Sequence, residues 1–162
     1  AEKLRCMLEL GGFEVIMTRE SDISIHDASA KSVKAQKTSD LHNRLAIVES
    51  HPGAVFVSIH QNKFSVGKYW GTQVFYGKED AQSMELASPN QKSVVAALQP
   101  DNTREIKPAG KNLVILYNAK TPAVLVECGF LSNADENKRL QDPEYQDALA
   151  FAIYTAILEY YG

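Results

Sequence analysis

Apolar positions along this chain recur with two rhythms, one helical and one strand-like. Leu4, Met7 and Leu8 share a helical face, and Gly11-Gly12 predicts its end, because glycine takes the left-handed conformation of a helix stop. No capping side chain precedes that helix, so it reads as an element begun upstream. FEVIMTR, residues 13–19, predicts a strand. Residues 20–37 are polar and weakly periodic, a long functional or mobile loop with a helical turn. Thr38-Ser39-Asp40 offers caps for a helix whose Leu41, Leu45 and Val48 fall at i, i+4 and i+7, ending before the turn His51-Pro52-Gly53. AVFVSIH (54–60) and TQVFYG (72–77) predict strands, separated by the glycine- and aromatic-rich FSVGKYWG. Residues 79–98 are helical in composition, kinked or split at Pro89, with Ser88 capping the second half. NLVIL is a short apolar piece and PAVLVECGF, 122–130, a buried strand. A short helix follows Asn133, and a long one opening near Pro143 turns Leu149, Ile153, Ala156, Ile157 and Tyr160 inward.

Continuous apolar strands alternating with amphipathic helices predict an α/β fold, a mostly parallel twisted sheet with helices on both faces. With 162 residues the chain reads as one domain, 1–162. A hydrophobic fraction of 44% against 23% charged is that of an ordinary globular chain. The formal charge of −3 argues against nucleic acid as a partner, and no apolar run is long enough to span a membrane. Cys6 and Cys128 lie too far apart to form a metal-binding spacing or a framework of bridges.

Two predicted strands end in reactive groups, VFVSIH in His60 and AVLVE in Glu127. Side chains at the carboxyl ends of α/β strands leave the sheet and enter a crevice, and an imidazole beside a carboxylate there suits a metal site with a general base. Plainer readings stand beside this one: His60 satisfied by a backbone carbonyl, and Glu127 in a structural ion pair with Arg44 or Arg104. His26 and His51 lie in loop and turn, and His42 fits a solvated helix face, although an unrelated hydrolase holding a metal on His60 and His42 remains a third reading. Ser58 lacks the glycine turn of a nucleophile elbow. Cys128 alternates away from Glu127 and reads as packing, and no glycine-rich phosphate loop is present.

SIHQN and VLVECGFLSN, with TRESD, DLHNRLAIVE and NTREIKPAGKNLVILYNAKTPAVLVECGFLSNADE, resemble the zinc-dependent N-acetylmuramoyl-L-alanine amidases, most of all their spore-cortex branch. The resemblance runs from the first helix to the last. It implies hydrolysis of the amide between N-acetylmuramic acid and the L-alanine of the stem peptide by a zinc-activated water. It makes His60 a zinc ligand, Glu127 the catalytic glutamate, and Asn62 and Arg104 substrate contacts. Tyr69 and Trp70 suit either sugar stacking or packing beneath their loop. The family's other ligands are a histidine in a GHGG-like turn after a first strand and a glutamate near the start of the first helix, and this chain contains neither. The expectation is therefore an N-terminally truncated form, lacking that strand, inactive as it stands, without retained Zn2+, and able to self-associate through the exposed sheet or helix surface. The work is expected in the bacterial envelope or outside the cell, with the forespore as a further place. The alternative is a metal-free peptidoglycan-binding or regulatory module.

Overall fold

The computed structural model describes residues 1–78 and 80–162; Glu79, the expected first residue of the third helix, lies outside the described residues. Helix α1, Glu2–Leu10, ends at Gly11-Gly12, where Gly12 takes φ 86°. Residues 13–19 correct the first strand expectation: they pair with no strand in the described sheet. A strand is stabilised by a partner's backbone, and a cavity of about 1350 Å³, lined by Phe13, Val15, Met17, Val55, Val57 and Ile59, lies beside them.

Helix α2 spans Val33–Glu49 and starts earlier than expected. Ser32 is its N-cap, accepting from the Ala35 amide at 3.2 Å, and the anticipated caps serve the preceding loop instead. Ser39 Oγ accepts from Asp27 N, while Asp40 accepts from the Ile25 amide and from Arg44. Together Arg44, Ile25 and Ser24 hold the Asp40 carboxyl well below the usual carboxylate range. Asp40→Asn should therefore destabilise the protein by about 1–3 kcal/mol at neutral pH, the contribution of hydrogen bonds to a charged group. A carboxyl depressed by folding stabilises above its unfolded pKa, so the deficit of D40N should be complete above about pH 4 and shrink as pH falls further. Denaturant titrations at pH 7 and pH 3 measure it; equal deficits at both would refute the assignment.

Strand β1 is Phe56–Asn62 and β2 is Gln73–Tyr76. Helix α3, Ala81–Leu98, runs unbroken through Pro89, and Asp80 caps it through the Gln82 and Ser83 amides. A two-residue β3, Lys107–Pro108, pairs with β2 and was not foreseen. NLVIL contributes to a short helix, α4, Val114–Asn118. Strand β4 is Ala123–Phe130, followed by α5, Ala134–Leu140, and α6, Pro143–Tyr161.

The sheet order is β1-β4-β2-β3, with β1 and β3 parallel to their neighbours and β2 antiparallel to β4. It is a mixed sheet, because the loop of residues 63–72 returns the chain to β2 without a crossover helix. Val124, Val126 and Cys128 of β4 join Leu86, Val94, Ile153 and Ile157 in the larger core, against α3 and α6. Ala123 and Leu125 face the opposite way and pack with Leu116 of α4, Phe56 and Phe75. Helices thus cover both faces, as the continuous apolar run of β4 requires.

Candidate active site

Alternation along β4 carries the second face from Ala123 through Leu125 to Glu127, and along β1 from Phe56 through Ser58 to His60. The two strands are parallel and in register, His60 opposite Glu127. Imidazole and carboxylate therefore stand side by side on one face, on strands roughly 5 Å apart. On the other side of β4, Gln73 is in register with the same Glu127 and shares its face with Phe75.

Arg104 completes the row. Its Nη1 donates to Gln73 Oε1 at 3.1 Å, its Nε donates to the Trp70 carbonyl at 2.8 Å, and its guanidinium lies 4.8 Å above the Phe130 ring. Phe130 reaches this face because the β1–β4 register slips after His60, so that Asn62 pairs with Phe130. Three steps on β4 match two on β1, a bulge of the kind that re-aims side chains beside active sites. Asn62 stands at the same strand end, its Oδ1 accepting from Lys63 N at 2.8 Å.

Electrostatics follow from this placement. Burial raises the Glu127 pKa, and its Oε2 is buried with no hydrogen-bond partner among the described residues. A carboxylate pushed up toward neutrality is a better general base than one held in an ion pair. The ion-pair reading gives way, since Arg44 is engaged by Asp40 and Thr18 and Arg104 by Gln73 and Trp70. Loss of water first, then Arg44 and Arg19, lowers the His60 pKa and favours the neutral imidazole that metals bind. Burial, with Glu127 second, pushes the Cys128 thiol up to about 12, as a packing residue should show.

The other histidines stay apart. His42 lines a small surface hollow with Asp27 and Ser39, whereas His60 opens into the large cavity beside β1, so the two do not share a site. Among the described residues no three His, Cys, Asp or Glu side chains gather as a metal site. The donor set at this strand end, one imidazole beside one carboxylate, does not fit a three-ligand catalytic zinc.

Sequence reasoning missed Gln73, Phe130 and Glu136. Glu136 is 2% exposed and accepts from Gly71 N at 3.0 Å and Phe130 N at 2.7 Å, fastening the end of β4 to the start of β2. The pattern Asn133-x-x-Glu136 was visible, but it reads as an ordinary capping box. Gly129 has no room for a side chain, since a Cβ there would meet Glu136 Oε1 at 2.9 Å. Gly71 needs its φ of 92°, which a larger residue rarely adopts.

Comparison with known proteins bears on the same residues: an N-acetylmuramoyl-L-alanine amidase family profile matches residues 1–159. The chain belongs to the N-acetylmuramoyl-L-alanine amidase family. Its activity class is accordingly peptidoglycan amide hydrolysis. The amidase domain is 34% identical over 161 residues to the germination-specific N-acetylmuramoyl-L-alanine amidase of Bacillus subtilis (strain 168), covering 99% of this chain and 67% of that protein. It covers 24% of a Bacillus anthracis cell wall amidase, to which 76% of this chain aligns at 38% identity. Its fold matches the CwlD amidase from Clostridioides difficile, solved in complex with the GerS lipoprotein, with a TM-score of 0.94, 39% identity, and coverage of 99% of this chain and 81% of that one. AmiC2 of Nostoc punctiforme matches at a TM-score of 0.80 and 25% identity, over 99% of this chain and 79% of that one. Among the described residues no helix is long and apolar enough to cross a membrane.

Proposed function

We propose that the protein hydrolyses the amide between N-acetylmuramic acid and L-alanine in peptidoglycan, with Glu127 as general base. The observation that carries this reading is the in-register pair His60 and Glu127 at adjacent parallel strand ends. Glu127 takes a proton from the attacking water and returns it to the departing amine of alanine, a role its unpaired, burial-raised carboxyl suits. Arg104, held by Gln73 and Trp70, and Asn62 at the end of β1 contact the substrate on either side of that carboxylate.

Among these residues only His60 would ligate zinc, one donor where a catalytic zinc takes three. In this proposal a strand from outside residues 1–162 fills the cavity between β1 and residues 13–19, completes a single domain, and adds the remaining ligands. The pairing expected of FEVIMTR without a partner in place, and apolar side chains from both walls of that cavity, support it. Relatives named as germination-specific and cell wall amidases support work in the envelope or outside the cell of a spore former, with the forespore as a further place. The absence of a third metal ligand among the described residues favours a second reading, a metal-free peptidoglycan-binding or regulatory module.

Zinc content and release of free alanine amino groups from peptidoglycan, measured for this chain and for a version extended upstream, separate the two. About one zinc per molecule and new alanine amino termini only in the extended form are expected. Zinc and hydrolysis in neither would establish the binding module, and a dimer of the short chain with full activity would replace the strand by a second copy.

A further inference from the structure

Beyond the reacting groups, the loop of residues 63–71 presents an unusual surface. Phe64, Tyr69 and Trp70 are 51%, 38% and 37% exposed, although aromatic side chains gain most from burial. Their exposure does not come from a loose loop. Phe64 N donates to Ser132 Oγ at 3.1 Å, Gly67 lies so close to the Ser132 carbonyl that a Cβ would stand 2.8 Å from it, and Gly71 N is held by the buried Glu136. The Trp70 carbonyl is held by Arg104. Ser132 lies just beyond the end of β4, Glu136 in the first turn of α5, and Arg104 between α3 and β3 beside Gln73, so the loop is fixed to the elements that carry the site.

The rings form a row leading to the reaction. Phe64 meets Tyr69 edge to face at 5.0 Å, and Tyr69 lies 6.3 Å from Phe130, which the bulge has turned onto the face of Glu127 beneath the Arg104 guanidinium. We infer that Phe64, Tyr69 and Trp70 form a glycan subsite, on which N-acetylated sugar rings of the peptidoglycan strand stack while the adjoining lactyl amide reaches Glu127. This rests on the amidase reading and adds to it which part of the substrate is held and where. The chemistry favours a sugar over an apolar partner. A pyranose offers a C–H face to a ring and hydroxyls to its surroundings, and this row is bordered by polar groups, with Lys68 Nζ 5.7 Å from the Tyr69 centroid. In the substrate the scissile amide hangs directly from a sugar, so some sugar must lie within one residue's length of Glu127, where Phe130 and Tyr69 stand.

Trp70 is the single tryptophan of the sequence, so indole fluorescence reports this loop alone. The protein is titrated with a peptide-free tetrasaccharide of alternating N-acetylglucosamine and N-acetylmuramic acid and, separately, with the free stem tripeptide. A saturable change in emission with the glycan and none with the tripeptide is expected. Tyr69→Ala and Phe64→Ala should each weaken glycan binding roughly five- to tenfold, the scale of one aromatic contact. Tyr69→Phe should bind as the unaltered protein does. No response to the glycan, a response to the tripeptide only, or unchanged affinity in both alanine variants with native circular dichroism would each overturn the subsite. Binding is read without turnover, so failed hydrolysis with intact glycan binding would count against the amidase reading alone.

Discussion

In the upstream-extended form, replacing Glu127 with glutamine should remove most hydrolysis, and in this chain without metal it should raise the melting temperature. The loss of rate is expected at roughly 10²–10⁴-fold, because the variant keeps the shape of the side chain but cannot accept the proton of the attacking water. The gain in stability has the same origin. Glu127 is held half-buried with Oε2 lacking any partner among the described residues, and burial raises its pKa above the unfolded value. A carboxyl whose pKa rises on folding destabilises the fold only where it must ionise, so the penalty is absent below its unfolded pKa and grows as pH rises through the folded one. The neutral amide escapes it. We expect E127Q to melt roughly 2–4 °C higher than the unaltered protein at pH 7, the shift that about 1 kcal/mol gives a domain of this size, and to lose that advantage near pH 4. Calorimetry at the two pH values in the presence of a chelator decides it. A wild-type protein that is the more stable at pH 7 would mean that Glu127 is a structural partner after all.

Glu136→Ala is expected to do the opposite, sharply lowering stability although Glu136 itself has no part in the chemistry. Its carboxylate accepts from Gly71 N and Phe130 N in a place that water does not reach. Truncation leaves two buried amides unsatisfied, at a cost of about 1–3 kcal/mol each, or a fall in melting temperature on the order of 10 °C. Glutamine can accept one of the two amides through its oxygen but turns an NH2 toward the other, so E136Q should fall between. Urea titrations measure the series. If E136A lost less than about 1 kcal/mol, the amides would have found other acceptors and the fastening of β4 to β2 would lie elsewhere.

Much of this was legible in the sequence. PAVLVECGF could only be a strand covered on both faces, and a carboxylate placed at its end had to serve something. Pro143 and the spacing from Leu149 to Ile157 gave the last helix its start and its buried face. What stayed hidden depends on pairing. FEVIMTR has the composition of a strand, but composition supplies no partner across the cavity beside it. NLVIL is an apolar run too short to separate strand from helix, and α4 is the outcome. Thr38-Ser39-Asp40 looked like caps because nothing local shows that Asp27 and Ile25 will claim Ser39 and Asp40. The register of His60 with Glu127 and the bulge that turns Phe130 are properties of two distant segments, and neither segment carries them alone.

That register also sets when the candidate site can form. His60 and Glu127 meet across a strand pair whose members are sixty-seven positions apart in the chain. Parallel pairing between distant segments closes a long loop before its contacts repay the lost entropy, so it is a slow, late event in folding. A polypeptide still being synthesised, with β4 not yet emerged, holds His60 without its carboxylate. The facing imidazole and carboxylate therefore come together only once β4 has been made, well after His60.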